Sequence, residues 1–464
     1  IAPSGTLNAV ISGFSMHSSA HYRQLLARLP QIAVAADQFE VLNSAKDFKS
    51  RILSLIASAR QRIYLVALYL QDDEAGREIL SALYAAKQRN PALDVKVFVD
   101  FHRAQRGLIG KGKQGGNHLM YQEMAARHEH QIAIYGVPVK GRELLGVLHL
   151  KGFIFDDTLL YSGASLNDIY LHQQDRYRFD RYHQITSPEL TRSMVNYVDD
   201  LFLRSEAVQR LDRTDIPSAK QLKGPIRRFK HNLRLGQYRF DTMPVNSQEV
   251  AITPMSGLGK RGNQLNKMIR TLVRATEREI FICTPYFNPP KELNKDIEAL
   301  LKRGCKVTIV VGDKTANDFF IPPEEKFSTI GGLPYLYETN LRKFAERNQH
   351  HIDAGRLNLM LWCCERNSYH LKGIFVDDEW ALLTGNNLNP RAWALDLENG
   401  LLVYDRRHLL RPQFNAEREN ILANTKRISH FDQIEQIQDY PDQVRKLLAR
   451  IHRVKAHILL KRII

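Results

Sequence analysis

Short, unbroken apolar runs separated by polar stretches of helix length set the rhythm of this chain. The longest run, "IYLVALYL" from Ile63 to Leu70, has the length of a strand covered on both faces and falls far short of a bilayer span. It lies in "RIYLVALYL" (Arg62 to Leu70), which is followed by a helical stretch and then by "DVKVFVD" (Asp94 to Asp100). The same succession returns with "EIFICTPYF" (Glu279 to Phe287), a helical stretch and "CKVTIVVGD" (Cys305 to Asp313). Such alternation predicts α/β architecture, used twice.

A second repeat follows the first in each round. "HLKGFIFDD" begins at His149 and "HLKGIFVDD" at His370, and each leads into a small polar loop, "SGASLND" (Ser162 to Asp168) or "TGNNLNP" (Thr384 to Pro390). The loops align Gly163 with Gly385 and Asn167 with Asn389, although one extra residue before Gly385 implies a different turn. These repeats divide the chain into a leader and N-terminal extension (1–45), a first half (46–205), a connector (206–248), a second half (249–425) and a tail (426–464).

Charge sharpens that division. The formal net charge is +16, and it is concentrated. Residues 217–240 carry seven Lys/Arg and no acid, as do residues 444–464. A polyanionic partner follows, with nucleic acid and anionic lipid both eligible. In the tail, Val444, Leu447, Leu448, Ile451, Val454 and Ile458 recur at helical spacing among Arg445, Lys446, Arg450, Arg453 and Lys455. This basic amphipathic pattern fits a helix docked on the body or one lying on a lipid surface. Cys283, Cys305, Cys363 and Cys364 show neither disulfide-framework nor metal-ligand spacing, which predicts a reducing, cytoplasmic setting. The opening "IAPSGTLNAVISGFSM" lacks the basic and apolar regions of a signal peptide, and is read as a leader ahead of a natural start near Met16.

The polar residues of the repeat carry the chemistry. His149 and Lys151, like His370 and Lys372, stand two apart on an apolar strand and so share a face. Burying an imidazole beside an ammonium without an anion desolvates both and sets like charges together. An anionic ligand shared by both pairs removes the conflict. One imidazole can attack phosphorus while the other moves protons, and two ammonium groups can hold the non-bridging oxygens. Asn167 and Asn389 are placed to donate to the same oxygens. A metal fits this set poorly, because lysine is a poor partner in a metal shell. "GLIGKGK" (Gly107 to Lys113) matches part of a P-loop, but Gln114 stands where the magnesium-binding Ser/Thr belongs.

Both copies match H-x-K-x-x-x-x-D, which resembles the paired signature of the phospholipase D superfamily. "DFHRAQRG" (100–107), "GASLNDIYLH" (163–172), "GDKTANDFFIP" (312–322), "LPYLYE" (333–338) and "TGNNLNPRAWALDLENG" (384–400) are similar to bacterial CDP-diacylglycerol:serine O-phosphatidyltransferases from about residue 20 onward. The resemblance implies two mixed-sheet α/β sandwich halves packed about a pseudo-twofold axis, with one active site at their interface and no cofactor. It implies CDP-diacylglycerol and L-serine as substrates and His149 as the nucleophile of a phosphatidyl-histidine intermediate. His370 would be the acid/base, with Lys151, Lys372, Asn167 and Asn389 on the phosphoryl oxygens. Asp180 and Glu398 would each orient the opposite histidine, and Asp156 and Asp377 would be structural. Neither loop keeps the serine that many relatives have beside the glycine. The chain is expected on the inner face of the cytoplasmic membrane as a peripheral protein, with RNA or ribosomes as non-specific partners of its basic segments. Another phosphodiesterase or transferase of the superfamily, such as a nuclease, phospholipase or cardiolipin synthase, is the alternative; a membrane-docked scaffold retaining both motifs would release no CMP.

Overall fold

The computed structural model describes residues 18–107 and 115–453, with side chains through Ile451. The leader before Met16, the P-loop-like stretch after Gly107 and the last part of the basic tail lie outside the described residues.

Each half is built on a mixed sheet. The first has eight strands in the order Gln209–Arg210, Ala133–Val137, Asp94–Asp100, Arg62–Val66, Gly152–Phe155, Thr158–Ser162, Tyr182–Thr186 and Phe39–Leu42. The second has nine, in the order Ile32–Ala35, Glu249–Leu258, Leu397–Tyr404, Trp380–Thr384, Gly373–Val376, Glu279–Cys283, Lys306–Gly312, Leu357–Trp362 and Thr425–Ile428. Arg62–Val66 runs parallel to Asp94–Asp100 and antiparallel to Gly152–Phe155, and Glu279–Cys283 has the same two relations with Lys306–Gly312 and Gly373–Val376. The parallel steps are bridged by the helices Glu74–Arg89 and Lys291–Lys302, each burying an apolar stripe. This is the repeated element order expected from the sequence.

Several elements tie the halves together. The segment set apart as an N-terminal extension contributes Ile32–Ala35 to the second sheet and Phe39–Leu42 to the first. The connector folds into the helix Lys223–Leu235, which buries Ile226, Phe229 and Leu233 and leaves Lys223, Arg227, Arg228, Lys230 and Arg234 exposed. The described part of the tail forms the helix Asp442–Arg453, whose Val444 and Leu448 pack with Tyr335 and Tyr440. Its apolar face is therefore covered by the body, while Arg445, Lys446 and Arg450 point to solvent.

The hairpin after each His/Lys pair turns on an aspartate in the left-handed region, Asp156 at φ 53° and Asp377 at φ 52°. Asp156 accepts from the backbone N–H groups of Arg60, Gln61 and Arg62 at 2.8–3.0 Å. Asp377 does the same for Glu277, Arg278 and Glu279 at 2.8–2.9 Å, and also takes Arg23 at 2.9 Å. Each carboxylate thus fastens the hairpin to the start of the neighbouring strand. Asp156→Ala and Asp377→Ala should each lower stability by about 2–4 kcal/mol, from charged hydrogen bonds lost at a left-handed position. The Asn variants should lose less in urea unfolding, because Asn retains one acceptor and tolerates that conformation.

Candidate active site between the halves

The two His/Lys pairs stand on the extended lead-ins to the strands that begin at Gly152 and Gly373, not within those strands. Alternation still applies, so Leu150 and Leu371 bury against the core while His and Lys share the opposite face. Each lead-in pairs with the other half. The N–H of His149 donates to the carbonyl of Leu397 at 2.9 Å, and that of His370 to the carbonyl of Phe179 at 2.8 Å. Ser368–Tyr369 and Arg178–Phe179 form a small parallel sheet across the interface.

This cross-pairing delivers an acid to each opposite base. Glu398 follows Leu397 and takes the hydrogen bond of His149 Nδ1 on Oε2 at 2.9 Å, with Oε1 2.8 Å from the same nitrogen. Asp180 follows Phe179 and meets Lys372 Nζ at 2.9 Å, but reaches His370 Nδ1 only at 3.5 Å. His370 Nδ1 has nearer partners, Lys372 Nζ at 2.5 Å and the Tyr170 hydroxyl at 3.0 Å. The backbone carbonyl of each lysine is held by a neighbour of the crossing acid: Asn399 donates to Lys151 O at 2.8 Å and Arg181 to Lys372 O at 3.3 Å. Arg181 in turn pairs with the buried Glu417 at 2.7 Å.

The loop glycines complete the crossing. A Cβ on Gly163 would lie 2.6 Å from Lys372 Nζ and 2.8 Å from Asp180, and one on Gly385 would lie 2.7 Å from Lys151 Cγ. Neither loop can carry a side chain at that point without moving the opposite lysine. Asn167 and Asn389 are held nearby. Asn167 Oδ1 accepts from the N–H of Tyr170 at 2.9 Å, and Asn389 Oδ1 accepts from that of Ala392 at 2.8 Å. Their amide groups reach the hydroxyls of Tyr69 at 3.4 Å and Tyr286 at 3.1 Å.

Burial governs the electrostatics. It holds His149 well below the usual imidazole range, helped by the charges of Lys151 and Lys372. Burial and then Lys372 bring His370 down to about 4, against the pull of Asp318 and Asp180. Lys151 falls to about 7 through burial and then Lys372, with Glu398 opposing. Burial alone would raise Asp180, but Lys372 and His370 keep it below its ordinary value. Burial and Asp396 push Glu398 well up, against Lys151 and Lys372. Both imidazoles are thus held neutral and Lys151 is only partly charged, so an arriving anion favours the charged form of the lysines.

The end of one parallel strand and the loop after its counterpart also approach the site. Asp100 accepts from the N–H of Leu148, next to His149, at 2.9 Å. Asp318 lies 3.7 Å from His370 Nε2 and 2.8 Å from Arg178. Arg178, Tyr170, Arg181 and Asn399 adjoin the candidate site, and the paired H-x-K motif by itself pointed to none of them. Among the described residues, no group of three or more His, Cys, Asp or Glu side chains is arranged to hold a metal ion.

A family model described as "Cardiolipin synthase, PLD-like domain" matches residues 52–194 and 268–422. The chain is 48% identical over 447 residues to the CDP-diacylglycerol–serine O-phosphatidyltransferase of Haemophilus influenzae, covering 95% of this chain and 98% of that protein. It is also 48% identical to the Escherichia coli protein of that name over 444 residues, covering 96% and 98%. The crystal structure of phosphatidylserine synthase from H. influenzae superposes with a TM-score of 0.93 at 47% identity, over 97% of this chain and all of that one.

Because Lys151 titrates near neutrality when the site is empty, an anion should draw a proton onto it. At pH 8, calorimetric titration with inorganic phosphate in buffers of different ionisation enthalpy should show proton uptake. Lys151→Met should remove most of that uptake; equal uptake by this variant would place the titrating group elsewhere.

Proposed function

The chain belongs to the phospholipase D-like CDP-diacylglycerol–serine O-phosphatidyltransferases, and we propose that it works by double displacement through a phosphatidyl group carried on His149. The overall reaction moves the phosphatidyl group of CDP-diacylglycerol onto the L-serine hydroxyl and releases CMP. The observation that carries the His149 assignment is the buried carboxylate of Glu398 against its Nδ1. With Nδ1–H donated to that carboxylate, the ring's lone pair is on Nε2, and the same carboxylate stabilises the cation formed on attack.

In the first step, His149 Nε2 bonds to the phosphorus bearing diacylglycerol. The bond from that phosphorus to the bridging oxygen breaks, and its electron pair leaves with CMP. A phosphate leaving group needs little help from a proton at neutral pH. Lys151 and Lys372 hold the non-bridging oxygens as charge grows on them. In the second step, the serine oxygen attacks the same phosphorus, its proton passes to His370 Nε2, and the phosphorus–nitrogen bond to His149 breaks.

His370 needs preparation for that role. In the empty site the Lys372 ammonium and the Tyr170 hydroxyl both approach Nδ1, so Nδ1 accepts and the ring proton sits on Nε2. Phosphoryl oxygens that draw Lys372 away let the proton move to Nδ1, toward Asp180, and expose Nε2 as a base. Asp180 thus supports His370 partly through Lys372. Asn167 and Asn389 serve the phosphoryl site through the hydroxyls of Tyr69 and Tyr286, which they fix.

The diacylglycerol part of the substrate must be met at a surface, since no described helix is long and apolar enough to cross a membrane. The loop leading to His149 exposes Leu144 at 59% and Leu145 at 50%. Lys140, on the same loop, feels the positive charges of Lys230 and Arg234 from the connector helix. We assign this apolar tip in a basic field to the anionic, inner face of the cytoplasmic membrane, with the basic tail as a second contact. RNA or ribosomes would meet the same charges at low salt. Leu144→Asp with Leu145→Asp should weaken co-sedimentation with anionic vesicles, and equal binding by this variant and the wild type would remove the loop from the contact.

The test of the double displacement is exchange of labelled CMP into CDP-diacylglycerol without serine. His149→Ala should lose both exchange and serine transfer, and Glu398→Gln should lower both by roughly 10²–10⁴-fold. His370→Ala should lose serine transfer and keep more of the exchange. The opposite pattern, with exchange lost in His370→Ala and kept in His149→Ala, would reverse the assignment.

A further inference from the structure

The catalytic frame is nearly two-fold, yet its two ligands differ, so something must break the symmetry. The break is sharpest two residues before each crossing acid. Before Glu398 stands Asp396, whose carboxylate is already taken by Arg391 at 3.2 Å and by the N–H of Val147 at 3.0 Å. Before Asp180 stands a cation, Arg178. Its Nε lies 2.8 Å from Asp318 Oδ1, and its guanidinium lies 4.7 Å above the ring of Tyr170, whose hydroxyl touches His370. The other oxygen of Asp318 faces His370 Nε2 at 3.7 Å. A guanidinium, a carboxylate and a base nitrogen therefore follow one another along one side of the interface between the halves, with the two ionic side chains only 14% and 18% exposed.

We propose that Arg178 and Asp318 form the acceptor site, taking the α-carboxylate of the amino acid on Arg178 and its α-ammonium on Asp318 Oδ2 so that the β-hydroxyl meets His370 Nε2. The proposal rests on the transfer reaction given above. Serine carries its ammonium and hydroxyl on adjacent carbons, and the gap between Asp318 Oδ2 and His370 Nε2 is of the size such a pair can bridge. A zwitterion needs opposite charges at fixed spacing; Arg178 and Asp318 supply them, with Arg178 Nε also donating to Ser368 Oγ at 3.4 Å and Asp318 Oδ1 buried without a hydrogen bond. Lys314, close by on the same loop, is engaged by Glu338 at 3.1 Å and by Glu435, so it does not compete for the carboxylate.

Arg178 comes from the first half and Asp318 from the loop after Lys306–Gly312 in the second. The acceptor site exists only where the halves meet, beside the base it serves. It also provides a ground for choosing serine over smaller nucleophiles. An acceptor lacking either charge leaves one member of the pair desolvated and without its ligand, a form of rejection stronger than fit alone.

The experiment compares acceptors in CMP-release assays with CDP-diacylglycerol in mixed micelles. For the wild type, L-alanine, which has both charges and no hydroxyl, should compete with serine at least about tenfold more tightly than ethanolamine or 3-hydroxypropionate. Arg178→Gln should raise the KM for serine and reduce the preference for serine over ethanolamine by at least about tenfold, because ethanolamine lacks the carboxylate. Asp318→Asn should do the same to the preference for serine over 3-hydroxypropionate, which lacks the ammonium. Arg178→Lys, which keeps the charge, should fall between the wild type and Arg178→Gln. If L-alanine competes no better than the single-charge compounds, the proposal is wrong. It is also wrong if the substitutions lower every acceptor and CMP exchange in one proportion, since Arg178 and Asp318 would then only lock the halves together. Serine-dependent CMP release by the wild type tests the underlying reaction separately.

Discussion

Two imidazoles and two ammonium groups buried within one interface are electrostatically unstable on their own, and the arrangement of both halves answers that instability. Neither half supplies the acid for its own pair. Glu398 crosses to His149 and Asp180 crosses to Lys372 and His370, so the bases can be buried only after the two sheets have met. The lead-in pairing at Leu397 and Phe179 sets the registers that make this crossing possible. Removing one acid would leave an uncompensated buried cation, so each crossing acid acts as a folding constraint as well as a chemical one.

The approximate symmetry of the frame permits one phosphorus to be approached from two sides by equivalent groups. Under the proposed double displacement, departures from it divide the labour. His149 has a single strong partner at Nδ1, whereas His370 shares that atom among a lysine, a tyrosine and a more distant acid. The first environment suits a ring that must bear positive charge for the lifetime of an intermediate. The second suits a ring whose proton must move when an anion arrives.

The doubled strand–helix succession was legible in the sequence because strands covered on both faces read as continuous apolar runs, and Arg62–Val66 and Glu279–Cys283 do so. The His/Lys pairs were legible because polar groups beside such runs demand a reason. Asp180 and Glu398 were reached only through family resemblance, since nothing local marks an acid that acts across an interface. Nothing local marked Arg178 or Tyr170: Tyr170 lies in a stretch known only by resemblance and meets His370, 200 positions on, while Arg178 meets Asp318, 140 positions on. Asn167 and Asn389 read as polar tips facing a ligand, and the sequence did not show that their side-chain carbonyls also close local turns. The residues before 45 read as an appendage because a four-residue strand such as Ile32–Ala35 has too little pattern to recognise.

That short strand has a consequence for how the protein is made. Ile32–Ala35 pairs with Glu249–Leu258, while Phe39–Leu42, a few residues later, closes the edge of the first sheet. A nascent chain can assemble the first sheet once Arg210 has emerged, but Ile32–Ala35 has no partner until Glu249–Leu258 has been synthesised. During that interval Ile32–Ala35 is an unpaired strand held beside a finished first sheet, waiting for the second. Synthesis order, and not sheet stability alone, then decides when the two halves become one molecule.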